Sequence, residues 1–164
     1  MLTVAFLSHH SKHLLSKNIE KIVNYGLDVS ILIIENSLDQ SLKTEFESKF
    51  QGNVKVYIPD ENLGFAGGMN KALELSENNF VFLSPPDVKL SSQCLKSLIE
   101  CTKHFKDFVL LAPTYQNENE YRNYDENIFS KINANKKNIK ILDKYHLKEV
   151  DWIDSSVIVN KSNM

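Results

Sequence analysis

The fold is decided by residues 58–90, which contain NLGFAGGMN at positions 62–70, the apolar run FVFL at 80–83 and SPPDV at 84–88. Three of the chain's five glycines, Gly64, Gly67 and Gly68, fall within five residues, where a loop becomes a helix. Because glycine permits positive φ and a close backbone approach, this pattern predicts a phosphate-binding loop. Ordinary turn and helix-packing glycines are the alternative interpretation.

A single carboxylate, Asp87, follows the apolar run, and Pro85 and Pro86 fix the turn that presents it. A carboxylate at the carboxyl end of a short buried strand predicts a site for a divalent cation. Together with the glycine-rich loop it fits a nucleotide diphosphate with a bound metal, placed where open α/β sheets bind their ligands. Asp87 as an N-cap or a turn residue is the alternative.

Apolar runs alternate with helical periodicities along the first two thirds of the chain. Strands are predicted at 2–7, 29–34, 54–58, 80–83 and 108–113. The run at 29–34 is apolar on both faces, which predicts a central parallel strand covered by helices on each side. The helices between the strands have the apolar faces Leu14, Leu15, Ile19, Ile22 and Val23; Leu42, Phe46 and Phe50; Met69, Ala72 and Leu73; and Cys94, Leu95, Leu98, Ile99, Thr102 and Phe105. This alternation predicts an α/β fold with a mostly parallel sheet and right-handed crossovers.

The length of 164 residues favours one domain, 1–164. Within it, 1–113 is predicted as the βα core. Residues 114–149 are rich in Asn, Lys, Glu and Tyr, and we interpret them as an irregular insert, with a short helix or hairpin left open. Strand character returns in 150–164. Gly26 is predicted to end the first helix, and Ser91 with Ser92 to begin the fourth.

The bulk composition excludes several classes of function. A formal net charge of −2 and a pI near 6.2 give no electrostatic basis for binding nucleic acid. The longest apolar runs are far shorter than the roughly 20 residues of a membrane span, and the amino terminus does not resemble a signal peptide, so we expect a cytoplasmic protein. Cys94 and Cys101 would lie about 10 Å apart on one helix, too far for a disulfide.

Polar side chains follow the first two predicted strands. His9, His10 and His13 have no Cys, Asp or Glu nearby that would complete a zinc site. They are either flat hydrogen-bonding groups beside a nucleotide base or solvated loop residues. Glu35 either accepts a hydrogen bond from a pyrimidine N–H or a ribose hydroxyl, or is a solvated turn acid. The sequence contains no nucleophile elbow, Walker A motif or CxxC pair.

Together these stretches resemble the family 2 glycosyltransferases, nucleotide-sugar enzymes with the GT-A fold, and within them the bacterial rhamnosyltransferase-like branch. The likeness is strong over residues 2 to about 90 and weak beyond. Residues 62–70 are close to that branch's NLGFAGGxN stretch, and 8–11 stand where the family has a TYNS-like turn. Residues 35–39 resemble its DNxSxD turn with Glu35 for Asp, and 85–88 resemble the NPDV form of the metal-binding DxD motif with Pro85 for Asn. Residues 150–159 resemble the later dWvsGa strand on the acceptor side.

The resemblance implies a Rossmann-like GT-A domain that transfers a sugar from a UDP- or dTDP-linked donor to a glycan or lipid-linked glycan acceptor in surface polysaccharide synthesis. It implies that Mg²⁺ or Mn²⁺ is held by Asp87 and the diphosphate. It also leaves open that the protein is bound peripherally to the inner membrane. The donor-binding residues that it implies are Ser8, His9, His10, Glu35, Asn36, Ser37, Asn62, Gly64, Phe65, Gly67, Gly68 and Asn70.

The family's catalytic base belongs to an acidic ED motif downstream of the tryptophan strand, and the chain ends before such a motif, so no catalytic residue is predicted. We expect either a piece of a longer enzyme, truncated at its C-terminus, or a non-catalytic nucleotide-sugar-binding module. A dinucleotide-dependent oxidoreductase is a third reading suggested by the glycines. Its fingerprint glycines would follow the first strand, whereas here they follow the third.

Overall fold

The computed structural model describes residues 1–113, 139–142, 145–148 and 155–164. The chain divides into two compact units. The first comprises Met1–Leu111 and Ser155–Met164, and the second comprises Ala112–Asp154. In the second unit the structure describes two short strands that pair antiparallel, so the insert contains a hairpin. The rest of the irregular insert that we predicted at 114–149 lies outside the described residues.

The described secondary structure follows the predicted alternation of strands and helices. In chain order the elements are β1 (Leu2–Ser8), α1 (Lys12–Asn24), β2 (Val29–Glu35), α2 (Gln40–Lys49), β3 (Val54–Tyr57), α3 (Gly64–Leu75), β4 (Phe80–Ser84), α4 (Ser92–His104), β5 (Leu110–Leu111), β6 (Ile139–Leu142), β7 (Tyr145–Lys148), β8 (Val157–Asn160) and a 3₁₀ turn (Lys161–Asn163). The first four predicted strands and all four predicted helices are confirmed.

Six strands form the sheet of the first unit in the order β3-β2-β1-β4-β8-β5. The strands β3, β2, β1 and β4 are parallel, as the alternation predicted. Their carboxyl ends therefore lie at one edge of the sheet, which we call the carboxyl edge. The strand order reverses between β1 and β4. The chain adds β2 and then β3 on one side of β1, and α3 then leads from β3 to β4 on the other side of β1. Open α/β sheets bind ligands at such a reversal.

Helices cover both faces of this sheet. Alternate residues of a strand point to opposite faces, so Phe6 packs with α1, α2 and α4, whereas Ala5 packs with α3. Side chains of α1 and α2 such as Leu15 and Phe46 are almost fully excluded from solvent. The prediction that β2 is covered on each side is confirmed.

The helix ends agree with the sequence signals. Gly26 follows α1 with a φ of 62°, and the hydroxyl of Ser91 accepts a hydrogen bond from the amide of Cys94 at 3.1 Å, which caps α4. Both predicted helix boundaries are confirmed. No helix within the described ranges is long and apolar enough to cross a membrane.

The strand predicted at 108–113 is wrong in extent, because only Leu110 and Leu111 pair with a neighbouring strand. Phe108 instead stacks on Phe80 and Phe105, with ring centroids 6.0 and 5.8 Å apart. Pro113 has no amide proton to donate to a ladder. The strand predicted from 150 begins at Val157, and residues 150–154 lie outside the described part.

Cys94 and Cys101 are free thiols on α4, as predicted. Burial raises the pKa of both thiols above the ordinary value. Cys101 is buried, whereas Cys94 is half-buried. Both thiols therefore stay protonated at neutral pH and are poor nucleophiles.

Candidate functional site

The residues singled out from the sequence lie on four turns at the carboxyl edge of the parallel strands. Ser8 at the end of β1 lies opposite Glu35 at the end of β2, and Ser84 at the end of β4 lies opposite Phe6. The glycine-rich loop follows β3 at the same edge. Parallel pairing therefore brings together residues that are up to about 80 positions apart in the chain.

The turn between β1 and α1 is held by its serines. Ser8 is fully buried, and its hydroxyl lies 3.0 Å from the hydroxyl of Ser11. The Ser11 hydroxyl also accepts a hydrogen bond from the amide of His9 at 3.2 Å. His9 and His10 are exposed, with ring centroids 4.4 Å apart. Ser8 thus shapes the turn, and the two histidines face outward from it.

Glu35 is fully buried at the end of β2. One carboxylate oxygen, Oε1, accepts hydrogen bonds from the amide of Ser37 at 2.8 Å and from the Ser37 hydroxyl. Among the residues that the structure describes, the other oxygen, Oε2, has no hydrogen-bond partner although it is buried. A buried acceptor without a donor costs about 1–3 kcal/mol. The carboxylate therefore has an acceptor position left for an N–H or O–H group at this edge of the sheet.

A cavity of about 350 Å³ lies between the turn after β1 and the turn after β2. Its polar lining consists of His10, Ser11, Lys12, Glu35, Ser37 and Asp39. Each of the two turns contains a non-glycine residue in the left-handed region, His10 with φ 53° and Leu38 with φ 63°. The left-handed conformation is uncommon for residues other than glycine. It clusters at binding sites, where the surrounding structure stabilises it.

Two charged residues of the cavity are anchored to α2. The Nζ of Lys12 lies 2.6 Å from Oε2 of Glu45, and this hydrogen bond raises the pKa of Lys12. The hydroxyl of Ser41 donates to the Asp39 carboxylate at 2.6 Å and lowers the pKa of Asp39. Both groups are charged at neutral pH. Sequence analysis did not select Lys12 as a site residue, because one lysine near a helix start gives no distinctive signal.

The glycine-rich loop is held in place by Asn36. Gly64 has a φ of 67°, and its amide donates to the side chain of Asn62 at 2.8 Å. The buried amide of Asn36 donates to the Gly64 carbonyl at 3.0 Å, and its oxygen lies 3.4 Å from the amide of Leu63. The main-chain amide of Asn36 also donates to the carbonyl of Ser8 at 2.8 Å. Asn36 thus joins the ends of β1 and β2 to the loop.

The three glycines of the loop have different roles. Gly64 supplies positive φ, whereas Gly68 is a buried residue of α3. A Cβ at position 68 would lie 2.2 Å from Cδ1 of Leu7 and 3.3 Å from Nδ2 of Asn36. Packing therefore explains why position 68 has no side chain. This agrees with the alternative interpretation from the sequence, in which the glycines serve turns and helix packing. At the intermediate Gly67, a Cβ would lie 3.1 Å from the Cβ of Leu63.

The first turns of α3 also carry exposed predicted residues. Phe65 is 59% exposed, and Asn70 is exposed as well. A large aromatic side chain exposed at this edge is available to a ligand, but it is not held in a pocket by the described residues around it. Its role in binding remains a prediction.

Replacing Asn36 with Ala is expected to lower the free energy of unfolding by about 2 kcal/mol, because the loop loses both hydrogen bonds from this buried side chain. Urea denaturation of the two proteins measures this difference. Asn62→Ala is the control, since it removes an exposed hydrogen bond to the same loop and should cost about 0.5 kcal/mol. Equal losses for the two variants would contradict the role given to Asn36.

Asp87 is exposed in the turn that follows β4. The amide of Val88 donates to the carbonyl of Pro85 at 3.3 Å, which closes the turn. Asn18, a buried residue of α1, donates from Nδ2 to the carbonyls of Pro86 at 2.7 Å and Val88 at 3.0 Å. Sequence analysis missed Asn18. The available signal was an amide within the apolar face of α1, between Leu15 and Ile22.

The described residues contain no cluster of three or more His, Cys, Asp or Glu side chains that could hold a metal ion. A cation at Asp87 could take its other ligands from oxygen atoms of a bound molecule. Mg²⁺ commonly binds in this way, through one or two carboxylates and the phosphates of its substrate.

The glycosyl transferase family 2 sequence model matches residues 3–155. The chain belongs to this family. In solved structures, TarS from S. aureus (residues 1–349) matches with a TM-score of 0.68 and 16% identity, over 98% of this chain and 47% of that one. TarS in complex with UDP matches with a TM-score of 0.66 and 15% identity over the same shares. A mannosyltransferase from Pyrobaculum calidifontis, PcManGT, in complex with GDP-Man and Mn²⁺, matches with a TM-score of 0.57 and 12% identity, over 70% of this chain and 35% of that one.

This family 2 chain spans about half the length of the TarS structures that it matches. No curated protein matches it. The predicted family and the GT-A fold are confirmed, because the sheet and its flanking helices match those of the TarS structures. The assignment to the rhamnosyltransferase-like branch and the donor-binding roles of individual residues stay predictions.

Proposed function

We propose that this family 2 chain binds a UDP- or dTDP-linked sugar at the carboxyl edge and contributes the donor site of a glycosyltransferase. The proposal places the base of the nucleotide in the cavity between the turns after β1 and β2. It places the diphosphate along the glycine-rich loop, towards Asp87. The sugar would pass to an acceptor hydroxyl of a glycan or lipid-linked glycan. The proposal that this acceptor belongs to a surface polysaccharide rests only on the resemblance to the rhamnosyltransferase-like branch.

The unpartnered oxygen of Glu35 is the observation that carries the proposal. It belongs to a buried carboxylate, and the residue lines a cavity of about 350 Å³. Uracil and thymine both present an N3–H donor, whereas cytosine presents a bare acceptor at the same position. A fixed carboxylate next to a cavity of this size therefore favours the first two bases over the third. The UDP complex of TarS supports a uridine nucleotide at this fold.

The residues at Asp87 fit a divalent cation that is shared with the diphosphate. The carboxylate is exposed, and its turn is fixed by the hydrogen bonds from Asn18. The Mn²⁺ in the PcManGT complex supports a metal in the donor complex of such a fold. When bound, the cation would neutralise charge on the leaving diphosphate. The chain's own part is to hold the carboxylate and the loop amides in position before the donor arrives.

Transfer also needs a base that deprotonates the acceptor hydroxyl. The described acids at the carboxyl edge are Glu35, which is buried beside the base cavity, Asp39, which caps α2, Asp87, which is assigned to the cation, and the exposed Asp60 and Glu61. No observation singles out one of them as the base for an acceptor. The proposal therefore assigns donor binding to Glu35 and Asp87 and assigns no residue to acceptor deprotonation.

Isothermal titration calorimetry with UDP, with and without Mn²⁺, tests the proposal. We expect Mn²⁺ to increase the affinity of the wild-type chain for UDP about tenfold or more, and Asp87→Asn to remove most of this gain. Asp28→Asn is the matched control, because Asp28 is an exposed aspartate just before β2, at the opposite edge of the sheet. It should leave the gain unchanged.

Two results would contradict parts of the proposal. If the wild-type chain binds neither UDP nor dTDP with Mn²⁺ present, the donor site is wrong. If it binds UDP but Asp87→Asn keeps the full gain from Mn²⁺, nucleotide binding stands and the role of Asp87 is wrong.

A further inference from the structure

Asn18 is an amide inside the apolar face of α1. Its neighbours on this face, Leu15, Ile19 and Ile22, are almost fully excluded from solvent, and Asn18 itself is only 8% exposed. The side chain reaches 68 and 70 positions along the chain, to the carbonyls of Pro86 and Val88. A polar side chain in such surroundings has a specific partner, because burial without one is costly.

The two hydrogen bonds hold the residue that lies between them. Nδ2 carries two protons, and they are donated to the carbonyls on either side of Asp87, at 2.7 and 3.0 Å. The Pro86 carbonyl belongs to the peptide group before the Asp87 Cα, and the Val88 carbonyl belongs to the peptide group after Val88. The peptide group that directly follows the Asp87 Cα is held by the hydrogen bond from the Val88 amide to the Pro85 carbonyl. Because Asn18 lies on a packed helix rather than on a loop, it transmits the rigidity of the core to the turn.

Tyr25, the C-cap residue of α1, supports the same segment, residues 85–90. The hydroxyl of Tyr25 donates to the carbonyl of Leu90 at 3.0 Å. Asn18 and Tyr25 lie about two helical turns apart, so α1 and its C-cap contact the segment at both of its ends. Asn18 is the contact next to the carboxylate, and Tyr25 is the contact next to α4.

We propose that Asn18 is a positioning residue that fixes the Asp87 carboxylate for a divalent cation shared with the donor diphosphate. This proposal rests on the proposed function. Asp87 is the one carboxylate that the described residues offer to this cation in the proposal. The affinity for the cation should therefore depend strongly on how this carboxylate is oriented. Residues that orient a metal ligand commonly change metal affinity by 10- to 100-fold when they are replaced.

The test uses Asn18→Leu, which keeps the branched shape and the number of heavy atoms of the side chain and removes both donors. We expect its affinity for UDP without metal to stay within about twofold of the wild type, while the gain from Mn²⁺ falls about tenfold. Asn18→Ser, which has a smaller side chain, is the second variant and should lose the same gain if Asn18→Leu does not fold. In the absence of nucleotide, hydrogen exchange of the Val88 amide should be faster in both variants, because the turn that it closes opens more often.

Asn160→Leu is the matched control. Asn160 is 2% exposed and donates from Nδ2 to the carbonyl of Lys106 at 3.0 Å, but it lies opposite Phe80, at the other end of β4. This variant loses a buried amide of the same kind far from the turn. We expect it to lower the stability of the chain and to leave the Mn²⁺ gain unchanged.

The outcomes separate this proposal from the proposed function. If Asp87→Asn loses the Mn²⁺ gain while Asn18→Leu and Asn18→Ser keep it, the positioning role is overturned and the donor site stands. Unchanged exchange of the Val88 amide in both variants would overturn it as well. If wild-type UDP binding shows no gain from Mn²⁺, the roles of both Asp87 and Asn18 are wrong.

Discussion

Replacing Glu35 with Gln is expected to reduce the affinity for UDP by about 100-fold without unfolding the chain. The glutamine oxygen can keep the hydrogen bonds from Ser37, while an NH₂ group replaces the unpartnered Oε2. A donor then faces the N3–H donor of uracil, and a charge-assisted hydrogen bond of about 1.5–3 kcal/mol is lost. Each 1.4 kcal/mol corresponds to a factor of about ten in affinity.

The same variant should bind CDP better than the wild type does, because N3 of cytosine accepts the hydrogen bond that the new NH₂ group donates. Calorimetry with UDP and CDP measures both changes. Glu47→Gln is the matched control. Glu47 also accepts a main-chain hydrogen bond, from Val56 at 2.9 Å, but it lies on α2 away from the cavity. If the ratio of the affinities for UDP and CDP is the same in the wild type and in Glu35→Gln, the carboxylate does not contact the base.

Replacing Gly68 with Val is expected to lower the free energy of unfolding by about 1–3 kcal/mol, because the new side chain would displace the Leu7 side chain from its place between α3 and the sheet. The Cβ would overlap Cδ1 of Leu7, and the branched side chain would also approach Asn36. Because Asn36 holds the Gly64 carbonyl, the loop should be displaced as well. Chemical denaturation gives the loss in stability, and UDP titration reports on the loop.

Two further variants show whether the loss comes from this contact. Ala66→Val places the same residue at an exposed position of α3, so it controls for helix propensity and should cost about 0.5 kcal/mol. Leu7→Ala in the Gly68→Val background should restore part of the stability, since it removes the overlapping atoms. Independent, additive effects of Leu7→Ala and Gly68→Val would argue against the overlap.

The sequence predicted those parts of the fold that depend on local patterns. An apolar run such as 29–34 is predicted as a buried strand when helices with apolar faces flank it in the sequence. Gly26 ends one helix and Ser91 begins another through local hydrogen bonds, so these helix ends could also be predicted. The location of the site at the carboxyl edge could be predicted as well, because parallel strands bring the turns at their carboxyl ends together.

Contacts between distant segments were not predictable. Asn18 and Asn36 are ordinary amides in the sequence, and their partners lie 68 and 28 positions away. The glycines at 64 and 68 look alike in the sequence, although one supplies positive φ and the other makes room for Leu7. The extent of β5 depended on which strand lies beside it, and that strand follows more than 40 residues later.

The pairing of β5 with β8 has a consequence for how this protein family can vary. Leu111 lies opposite Ile158, so the chain leaves the sheet at 112 and returns to it on the adjacent, antiparallel strand. The entry and exit points are therefore neighbours whatever lies between them, and doubling the intervening length costs only about 0.6 kcal/mol of closure entropy. Segments of different size can be accommodated here during evolution while the nucleotide-facing turns on the parallel strands keep their arrangement.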